Sequence, residues 1–588
     1  MKTTQYLLMS GLLLISTLLY AQQPTITVDV SRVKTNIGSK GAGYCTSFLT
    51  DNINIQNSLK TTRAKTLRFP MGGLAENYLF HNPAKYKTIN QGLEPVACTR
   101  NSGAGGDINP DLTYKNTMDF DEFMDLCDAT NTEPVVMVSV RGFKLAGSNI
   151  TREQLKQNAV EWVKYAKSRN YKVKYWEIGN EVELDHSQNS GGRSENFDMD
   201  EYVALLKEFS KAMKSVDGSI KVGAGITNDP TWYRAVIEGA VSETDFLVAH
   251  QYHTSDSITN FGEYSTNRWK YISSTEKAIQ SINQYAKGNN RQRLKVMVTE
   301  HSSFAPNPMW VNQRNEIYKS LYTFEQIANM FSYDDRVLYT HFWVTTNPWG
   351  NRGTVDDADA FDKNNKWKIL NQGRIVQVFN QFLGAKMLDV QRVNGFVRAY
   401  ASYTPSTKAL TVYLLNKKSG NQSVKVNMAN YSGRLSGERW VYQGKDTPAG
   451  RGPYAIDHTW RNTGDIWLNN NQVSLTLPRA SITVLRFRAI NARQSAEVDK
   501  PINEVSEAPS VELFANPASD QVQLQVKNAA QVQNLYLTDL SGRITKVHYQ
   551  TVAGDKLVIS TSQLNDGVYI LHGTIGTQTF TERLIIKR

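Results

Sequence analysis

Two glutamates, Glu181 and Glu300, stand where predicted strands end, and carboxyl groups there could do acid–base and nucleophilic chemistry. The apolar run 173–178 continues into Gly-Asn-Glu, and the run 294–299 ends directly in Glu300. When two carboxyl groups face each other across a cleft, one can protonate a leaving oxygen while the other attacks the anomeric carbon of a sugar. A spacing of about 5–5.5 Å predicts retention of anomeric configuration, and about 6.5–9.5 Å predicts inversion.

Eight short apolar runs alternate with amphipathic helical segments and would position these residues. Residues 41–385 therefore predict a (β/α)8 TIM barrel, whose catalytic groups lie at the carboxyl ends of the strands. A doubly wound open sheet is the alternative, but no glycine-rich nucleotide turn follows the first run. The predicted strands are 43–48, 66–69, 134–140, 173–178, 221–224, 246–250, 294–299 and 337–343.

The rest of the chain reads as all-β structure in two parts. Residues 386–490 contain short alternating runs that predict a β-sandwich. The early run 25–30, within segment 22–40, is expected to join that sandwich as an N-terminal strand. Residues 491–510 are polar and contain proline, which is typical of a linker. Residues 511–588 then predict a small all-β C-terminal domain with turn residues between short strands.

The amino terminus predicts export. A lysine at position 2, an apolar stretch over 7–19 and a small residue at position 21 are typical of a secretory signal peptide, 1–21. The stretch is shorter than the roughly 20 apolar residues of a membrane span, and no other run reaches that length. We therefore expect a secreted or cell-surface protein with no transmembrane span.

Composition excludes several classes of protein. With 40% hydrophobic and 21% charged residues, the 588-residue chain is globular rather than disordered. Three cysteines rule out a disulfide scaffold, and Cys45 and Cys127 lie in apolar surroundings that predict inert, buried thiols. The net charge of +11 could favour anionic polysaccharides, but no dense basic stripe indicates a nucleic-acid partner.

The segment 176–181, Trp-Glu-Ile-Gly-Asn-Glu, together with the strand-end Glu300, resembles glycoside hydrolase clan A. Within that clan, the stretches 67–78 and 133–140 are similar to the α-L-arabinofuranosidases of family 51. The resemblance covers roughly residues 25–490. It implies a retaining hydrolase of polysaccharide or oligosaccharide, with the acid/base after strand four. The chemistry implied needs no cofactor and no metal.

The C-terminal segment resembles the sorting domain of the type IX secretion system. The resemblance is carried by Asn-Pro at 516–517, the turn at 539–543, Gly-Val-Tyr at 567–569 and the final Lys-Arg pair. It implies that the type IX secretion machinery is a partner, and that the chain is exported across both the inner and the outer membrane.

Roles follow for the strand-end residues. We assign Glu181 as general acid/base, with a pKa raised by the negative charge of Glu300, and Glu300 as nucleophile. Glu177 shares a strand face with Glu181 but lies deeper, and is expected to be a buried partner of Arg68. Arg68 could hold Glu300 ionised, and Asn180 resembles the clan residue that hydrogen-bonds the sugar 2-hydroxyl.

Further candidates would bind substrate around the two glutamates. His250, Tyr252 and His253 end the sixth predicted strand, where a tyrosine or histidine commonly contacts the nucleophile in this clan. Trp343, at the end of the eighth strand, and Trp349, in the following loop, could stack on a sugar ring. For each of these aromatic residues, packing in the core remains the alternative.

Several departures from family 51 lie at the predicted barrel mouth and leave the substrate open. Met71 interrupts the Pro-Gly-Gly run, the segments 182–186 and 301–303 differ, and a long loop spans 81–116. The leading interpretation is an exo-acting α-L-arabinofuranosidase-like enzyme. The alternatives are an endo-hydrolase of galactan or sulfated galactan, resembling agarases and porphyranases, and a non-catalytic carbohydrate-binding surface protein.

Overall fold

The computed structural model describes the following residues: 24–46, 52–73, 76, 78–80, 118, 120–144, 150–184, 197–252, 261–267, 270–303, 317–345, 369–391, 396–443, 459–488, 511–514, 517–526, 529–539, 544–552, 555–575 and 578–588. The predicted signal peptide, the predicted linker, the 81–116 loop, Cys98, His253 and Trp349 lie outside these residues.

Eight parallel strands close into a barrel that follows a first strand, β1 (Thr25–Asn36). The strands pair in chain order, and the last pairs with the first through Ala42–Thr340 and Tyr44–Phe342. This closure confirms the predicted barrel, and the open-sheet alternative is wrong. The barrel strands are β2 (Ala42–Cys45), β3 (Thr66–Phe69), β4 (Glu133–Val138), β5 (Tyr175–Ile178), β6 (Lys221–Ala224), β7 (Phe246–Gln251), β8 (Lys295–His301) and β9 (Val337–Phe342).

Most of the helices around the barrel bury an apolar face, whereas the ninth helix is buried on all sides and the eighth buries no residue. Thr151 caps the third helix through a capping box with Gln154, and Asp198 caps the fourth by accepting from the amide of Glu201. The helices are α1 (Asn52–Thr62), α2 (Phe120–Thr130), α3 (Arg152–Ser168), α4 (Met199–Val216), α5 (Pro230–Ala240), α6 (Phe261–Thr266), α7 (Ser273–Tyr285), α8 (Asn290–Arg293), α9 (Ile317–Phe331) and α10 (Asn371–Asn380), with a 3-10 turn at Gly142–Lys144.

Inward-facing side chains form layers inside the barrel. A lower layer is apolar and lies toward the amino ends of the strands. Because side chains alternate along a strand, the residue two positions after each member of this apolar layer also faces the barrel interior. On β5, β7, β8 and β9 the positions two residues beyond this layer hold polar side chains, so a polar layer lies above the apolar one. The apolar layer contains Val135, Tyr175, Phe246, Val248, Met297 and Tyr339, and the polar layer contains Arg68, Glu177, His250, Thr299 and His341.

The all-β region that follows the barrel is one hydrogen-bonded sheet of nine strands. β1 lies in this sheet, antiparallel to β10 and parallel to β13. Strands that are distant in the sheet order share one apolar core. The strands are β10 (Lys386–Gln391), β11 (Val397–Thr404), β12 (Ala409–Asn416), β13 (Gln422–Ala429), β14 (Ser436–Gln443), β15 (Thr459–Trp467), β16 (Gln472–Leu477) and β17 (Ser481–Phe487).

A buried ionic group joins the nine-stranded sheet to the barrel helices. Lys417, which follows β12, donates to Glu325 on α9 at 2.9 Å, and Arg398 on β11 donates to the other oxygen at 2.9 Å. The ammonium group also lies 4.3 Å from the ring centre of Tyr264. Lys417 and Glu325 are fully buried, so this contact fixes the sheet on α9.

The C-terminal unit, 492–588, has two four-stranded antiparallel sheets and its own apolar core. The strands are β18 (Val511–Phe514), β19 (Gln521–Val526), β20 (Val532–Asp539), β21 (Ile544–Lys546), β22 (Tyr549–Val552), β23 (Lys556–Ser560), β24 (Gly567–Ile575) and β25 (Gln578–Ile586). Among the residues described, no helix is both long enough and apolar enough to span a bilayer.

Candidate active site

The carboxyl ends of the barrel strands bring together residues that are far apart in the sequence. Arg68 lies near the end of β3, and Asn180 and Glu181 follow β5 by two and three residues. His250 lies near the end of β7 and Glu300 near the end of β8. The carboxyl ends of parallel strands meet at one face of a barrel, which is where active sites of such barrels lie.

Glu300 is held through both carboxylate oxygens. Its Oε1 accepts from Arg68 Nη1 at 2.8 Å, and its Oε2 accepts from the Tyr252 hydroxyl at 2.6 Å. Burial, reinforced by the charge of Glu300, raises the pKa of Tyr252 well above its usual value, so the phenol keeps the proton it donates. Glu300 is 4% exposed, and the two donors fix the orientation of its carboxylate.

A bulge in β8 turns Glu300 into the barrel. Ala249 pairs with Val298 and His250 pairs with Glu300, so Thr299 is an extra residue in the ladder. Without the bulge, strict alternation after Met297 and Thr299 would face Glu300 toward the helices. Bulges beside active sites re-aim side chains in this way.

Arg68 is the hub of the polar layer. Its Nε and Nη2 donate to both oxygens of Glu177 at 2.8 and 2.9 Å, and Nη2 also donates to Asn180 Oδ1 at 2.7 Å. Burial alone disfavours the charge, but Glu177 and Glu300 together raise the pKa of Arg68 above its usual value. One guanidinium therefore aligns the nucleophile candidate, the Asn180 amide and Glu177.

Glu181 faces Glu300 across His250. His250 Nδ1 lies 2.8 Å from Glu181 Oε1 and 3.6 Å from Glu300 Oε2, and its Nε2 lies 3.0 Å from Thr299 Oγ1. Burial lowers the pKa of His250, so the ring is neutral at neutral pH. One carboxylate oxygen of each glutamate and a ring nitrogen of His250 all lie within 4.8 Å of one another.

That trio is the one group in the described part of the chain whose histidine and carboxylate atoms are close enough to share a metal ion. His250 and Glu181 already lie at hydrogen-bond distance, and Glu300 is engaged by Arg68 and Tyr252. The arrangement suits proton transfer and nucleophilic attack without a metal. The absence of a metal and a cofactor from the chemistry stays a prediction.

Trp343 and Gly72 line the side of the site next to Glu300. A Cβ atom on Gly72 would lie 2.4 Å from Glu300 Oε1 and 2.7 Å from the Trp343 indole. Trp343 is half-buried and packs against the cluster of Cys45, Met71 and Val344. The indole therefore borders the nucleophile candidate, where a sugar ring could stack on it.

The structure thus groups six of the predicted residues, Glu181, Glu300, Asn180, Arg68, His250 and Tyr252, with Trp343 beside them. Nδ2 of Asn180 is buried, and none of the described residues accepts a hydrogen bond from it. This amide group could therefore donate to a bound substrate. The predicted partnership of Arg68 with Glu177 is observed. His253 and Trp349 fall outside the described residues, and their roles stay predictions.

Sequence reasoning missed three residues that shape this site. Thr299 contacts His250, Arg141 Nη2 donates to the Glu181 carbonyl at 2.6 Å, and Glu76 accepts from backbone amides after β4 and β5. Of the three, only Glu76 stood out in the sequence, as a charged side chain in an otherwise apolar and glycine-rich stretch. The other two act through contacts that no residue pattern encodes.

Two parts of the chain match known domain families. Residues 58–271 match the alpha-L-arabinofuranosidase 1 domain. This part of the chain is therefore similar to alpha-L-arabinofuranosidases. Residues 512–587 match the secretion system C-terminal sorting domain. These matches confirm both resemblances drawn from the sequence.

A curated relative is the intracellular exo-alpha-(1->5)-L-arabinofuranosidase of Acetivibrio thermocellus, 24% identical over 281 residues. The match covers 44% of this chain and 49% of the relative, so the chain spans about half the length of that protein. At this identity and coverage, the substrate of the relative does not by itself define the substrate of this chain.

Solved structures share the fold of the arabinofuranosidase-like part. The alpha-L-arabinofuranosidase of Thermotoga maritima, in complex with arabinose, has a TM-score of 0.61 at 17% identity, covering 79% of this chain and all of that one. A family 44 xyloglucanase of Paenibacillus polymyxa reaches 0.57 at 14% identity, covering 79% of this chain and 99% of that one. These relatives and structural neighbours are glycoside hydrolases.

Proposed function

We propose that this protein is an exported retaining glycoside hydrolase of the α-L-arabinofuranosidase type, with Glu300 as nucleophile and Glu181 as general acid/base. The observation that carries the proposal is the approach of the two carboxyl groups to within 4.8 Å, oxygen to oxygen. This close approach favours the roughly 5–5.5 Å spacing of retaining enzymes over the roughly 6.5–9.5 Å of inverting enzymes.

In the first step, Glu300 attacks the anomeric carbon as the bond to the leaving oxygen breaks, and Glu181 gives its proton to that oxygen. The product is a glycosyl ester on Glu300. In the second step, Glu181, now a carboxylate, takes a proton from water as the water oxygen attacks the anomeric carbon. The ester bond breaks, the Glu300 carboxylate is restored, and the sugar keeps its anomeric configuration.

The neighbours of the two glutamates support these roles. Arg68 and Tyr252 each donate a hydrogen bond to one oxygen of the Glu300 carboxylate, which holds it in a fixed orientation for attack. The neutral ring of His250 lies beside both carboxyl groups and adds no charge between them. The open Nδ2 of Asn180 is a donor that could bind the sugar 2-hydroxyl.

Arabinofuranose is the sugar that the related proteins favour. The matched domain family and the curated relative both act in arabinofuranoside chemistry by their descriptions, and the relative is exo-acting. Export is supported by the sorting domain, and recognition by the type IX machinery follows from the same resemblance. The endo-acting galactan alternative stays a prediction, since no described contact favours it.

The substitutions Glu181→Gln and Glu300→Gln test the assignment. We expect Glu300→Gln to abolish turnover and Glu181→Gln to slow hydrolysis of unactivated glycosides by about 10²–10⁴-fold, the usual worth of a general acid. The measurement is kcat/KM on nitrophenyl α-L-arabinofuranoside and on arabino-oligosaccharides. The control is Glu238→Gln, an exposed carboxylate on α5 that pairs with Arg234 and should leave turnover unchanged.

Proton NMR early in the reaction gives the stereochemistry. The first product should have the anomeric configuration of the substrate, and an inverted first product would disprove the double displacement. A panel of arabinan, agarose, porphyran and pectic galactan separates the substrates. Release of monosaccharide alone supports exo action, whereas release of oligomers alone supports an endo enzyme.

A further inference from the structure

Glu76 is a buried carboxylate that lies seven residues beyond the end of β3, outside the group of residues assigned above. It is 5% exposed. Its Oε2 accepts from the backbone amides of Val140 at 2.6 Å and Arg141 at 3.0 Å, and its Oε1 accepts from the amide of Asn180 at 2.8 Å. Three backbone donors thus converge on one side chain.

These three amides belong to the segments that leave two neighbouring strands. Val140 and Arg141 follow β4, which ends at Val138, and Asn180 follows β5, which ends at Ile178. Beyond those ends the strands no longer supply partners, and a buried amide without an acceptor is costly. Glu76 supplies the acceptors and so ties the two strand ends together.

The segment that Glu76 holds includes the general acid candidate. Glu181 directly follows Asn180 and has a φ of 49°, in the left-handed region that a non-glycine residue occupies only when its surroundings impose it. Arg141, whose amide is bound to Glu76, donates through Nη2 to the Glu181 carbonyl at 2.6 Å. Glu76 therefore holds the backbone of Asn180, the residue before Glu181, directly and contacts the Glu181 carbonyl through Arg141.

We propose that Glu76 is a positioning residue for the general acid: its carboxylate fixes the Asn180–Glu181 turn so that the Glu181 side chain faces the leaving oxygen. The inference rests on the proposed role of Glu181. Glutamine cannot replace Glu76, because an amide offers one acceptor oxygen and turns its NH2 group toward at least one N–H donor. The substitution leaves volume and burial nearly unchanged while removing the acceptor.

The substitution Glu76→Gln is tested by the dependence of rate on the leaving group. Both substrates, a dinitrophenyl glycoside and a methyl glycoside, carry the sugar that wild type hydrolyses fastest. Dinitrophenolate leaves without being protonated, whereas the methoxy group of a methyl glycoside must receive a proton from the general acid. We expect kcat/KM to fall about 10- to 100-fold on the methyl glycoside and less than about threefold on the dinitrophenyl glycoside. Equal losses on both substrates, or no loss on either, would overturn the inference.

Two controls separate the possible failures. Glu133→Gln, at the opposite end of β4, should change neither rate. Glu181→Gln should show the same leaving-group dependence in stronger form. If Glu181→Gln shows it and Glu76→Gln does not, the positioning role is wrong while the proposed function stands. If neither shows it, the general-acid assignment is wrong, and the inference falls with it.

Amide hydrogen exchange on the full chain supplies a readout that is independent of substrate. In Glu76→Gln, peptides that contain Val140 and Arg141, and peptides that contain Asn180, should exchange about tenfold faster than in wild type. The same peptides should be unchanged in Glu133→Gln. Unchanged protection in Glu76→Gln would show that the carboxylate does not hold this turn and would overturn the inference.

Discussion

The backbone at Gly72 lies directly against the proposed nucleophile. Any Cβ atom there would overlap Glu300 Oε1 and the Trp343 ring, both of which are fixed by their other contacts. The next residue, Gly73, has open space around its Cβ position. Of two adjacent glycines, only Gly73 has space for a larger side chain, a difference that the sequence alone does not indicate.

We expect Gly72→Ala to reduce kcat by about 100-fold, because the methyl group must displace the Glu300 carboxylate from Arg68 and Tyr252. Gly73→Ala is the matched control and should keep kcat within about twofold. Steady-state kinetics on the best aryl glycoside, with thermal melting of both variants, provides the comparison. Equal kcat values for the two variants would contradict this account of the nucleophile's surroundings.

At the residue scale, the sequence predicted the catalytic candidates at the ends of strands and missed the residues that position them through contacts. Glu181 and Glu300 were recognisable because acids at the ends of apolar runs are unusual. Glu76 was visible only as a charge in an apolar, glycine-rich stretch, and its role was not, because its partners are backbone amides, which carry no sequence signal. The inward orientation of Glu300 also depends on the bulge at Thr299, and strict alternation would have turned its side chain away.

At the scale of elements, the contact of α9 with the nine-stranded sheet depends on one buried ammonium group. Burial lowers the pKa of Lys417, and the opposing charge of Glu325 and its hydrogen bond counter that effect. Lys417 also donates to the carbonyl of Asn267, just beyond α6. The side chain of Lys417 thus joins α6 and α9 to the end of β12.

We expect Lys417→Met to lower the free energy of unfolding by about 3 kcal/mol, because it leaves Glu325 buried with only Arg398 as a cationic partner. The adjacent Lys418→Met is the control, since Lys418 is only partly buried and contacts the Phe396 ring. Urea unfolding followed by tryptophan fluorescence measures both. A loss no greater in Lys417→Met than in Lys418→Met would show that the sheet is held elsewhere.

Element boundaries show where sequence patterns stop being informative. The predicted strand 134–140 ends at Val138, because the amide of Val140 bonds to Glu76 rather than to a neighbouring strand. The predicted strand 173–178 begins at Tyr175, because Tyr175 is the first of its residues that pairs with β4. Apolar runs record burial, whereas the ladder of hydrogen bonds that defines a strand depends on its neighbours in space.

At the scale of the whole molecule, acid stability reflects histidines buried without charge. Burial lowers the pKa of His250 and His341, and it lowers the pKa of His301 to about 3. Unfolding exposes these rings to water, where their pKa returns to about 6.5. Below pH 6.5 the unfolded chain therefore binds protons that the folded chain does not, and stability falls as the pH falls.

We expect His301→Gln to reduce the slope of unfolding free energy against pH by about 1.4 kcal/mol per pH unit between pH 6 and pH 4. Above pH 7 the two proteins should differ by a constant amount, because neither state then binds the proton. Urea unfolding at a series of pH values measures both slopes. An identical pH slope in wild type and variant would mean that His301 is not neutral in the folded protein.

The place of β1 in the sheet has a consequence for the order in which the chain can fold. This first strand lies between β10 and β13, whose residues are synthesised only after those of the whole barrel. Its backbone donors stay unpaired through most of synthesis, and contacts so distant along the chain form slowly. In the sequence, strands of one sheet thus flank the barrel on both sides. Excising the barrel for protein engineering would remove β1 from between β10 and β13 and break that sheet.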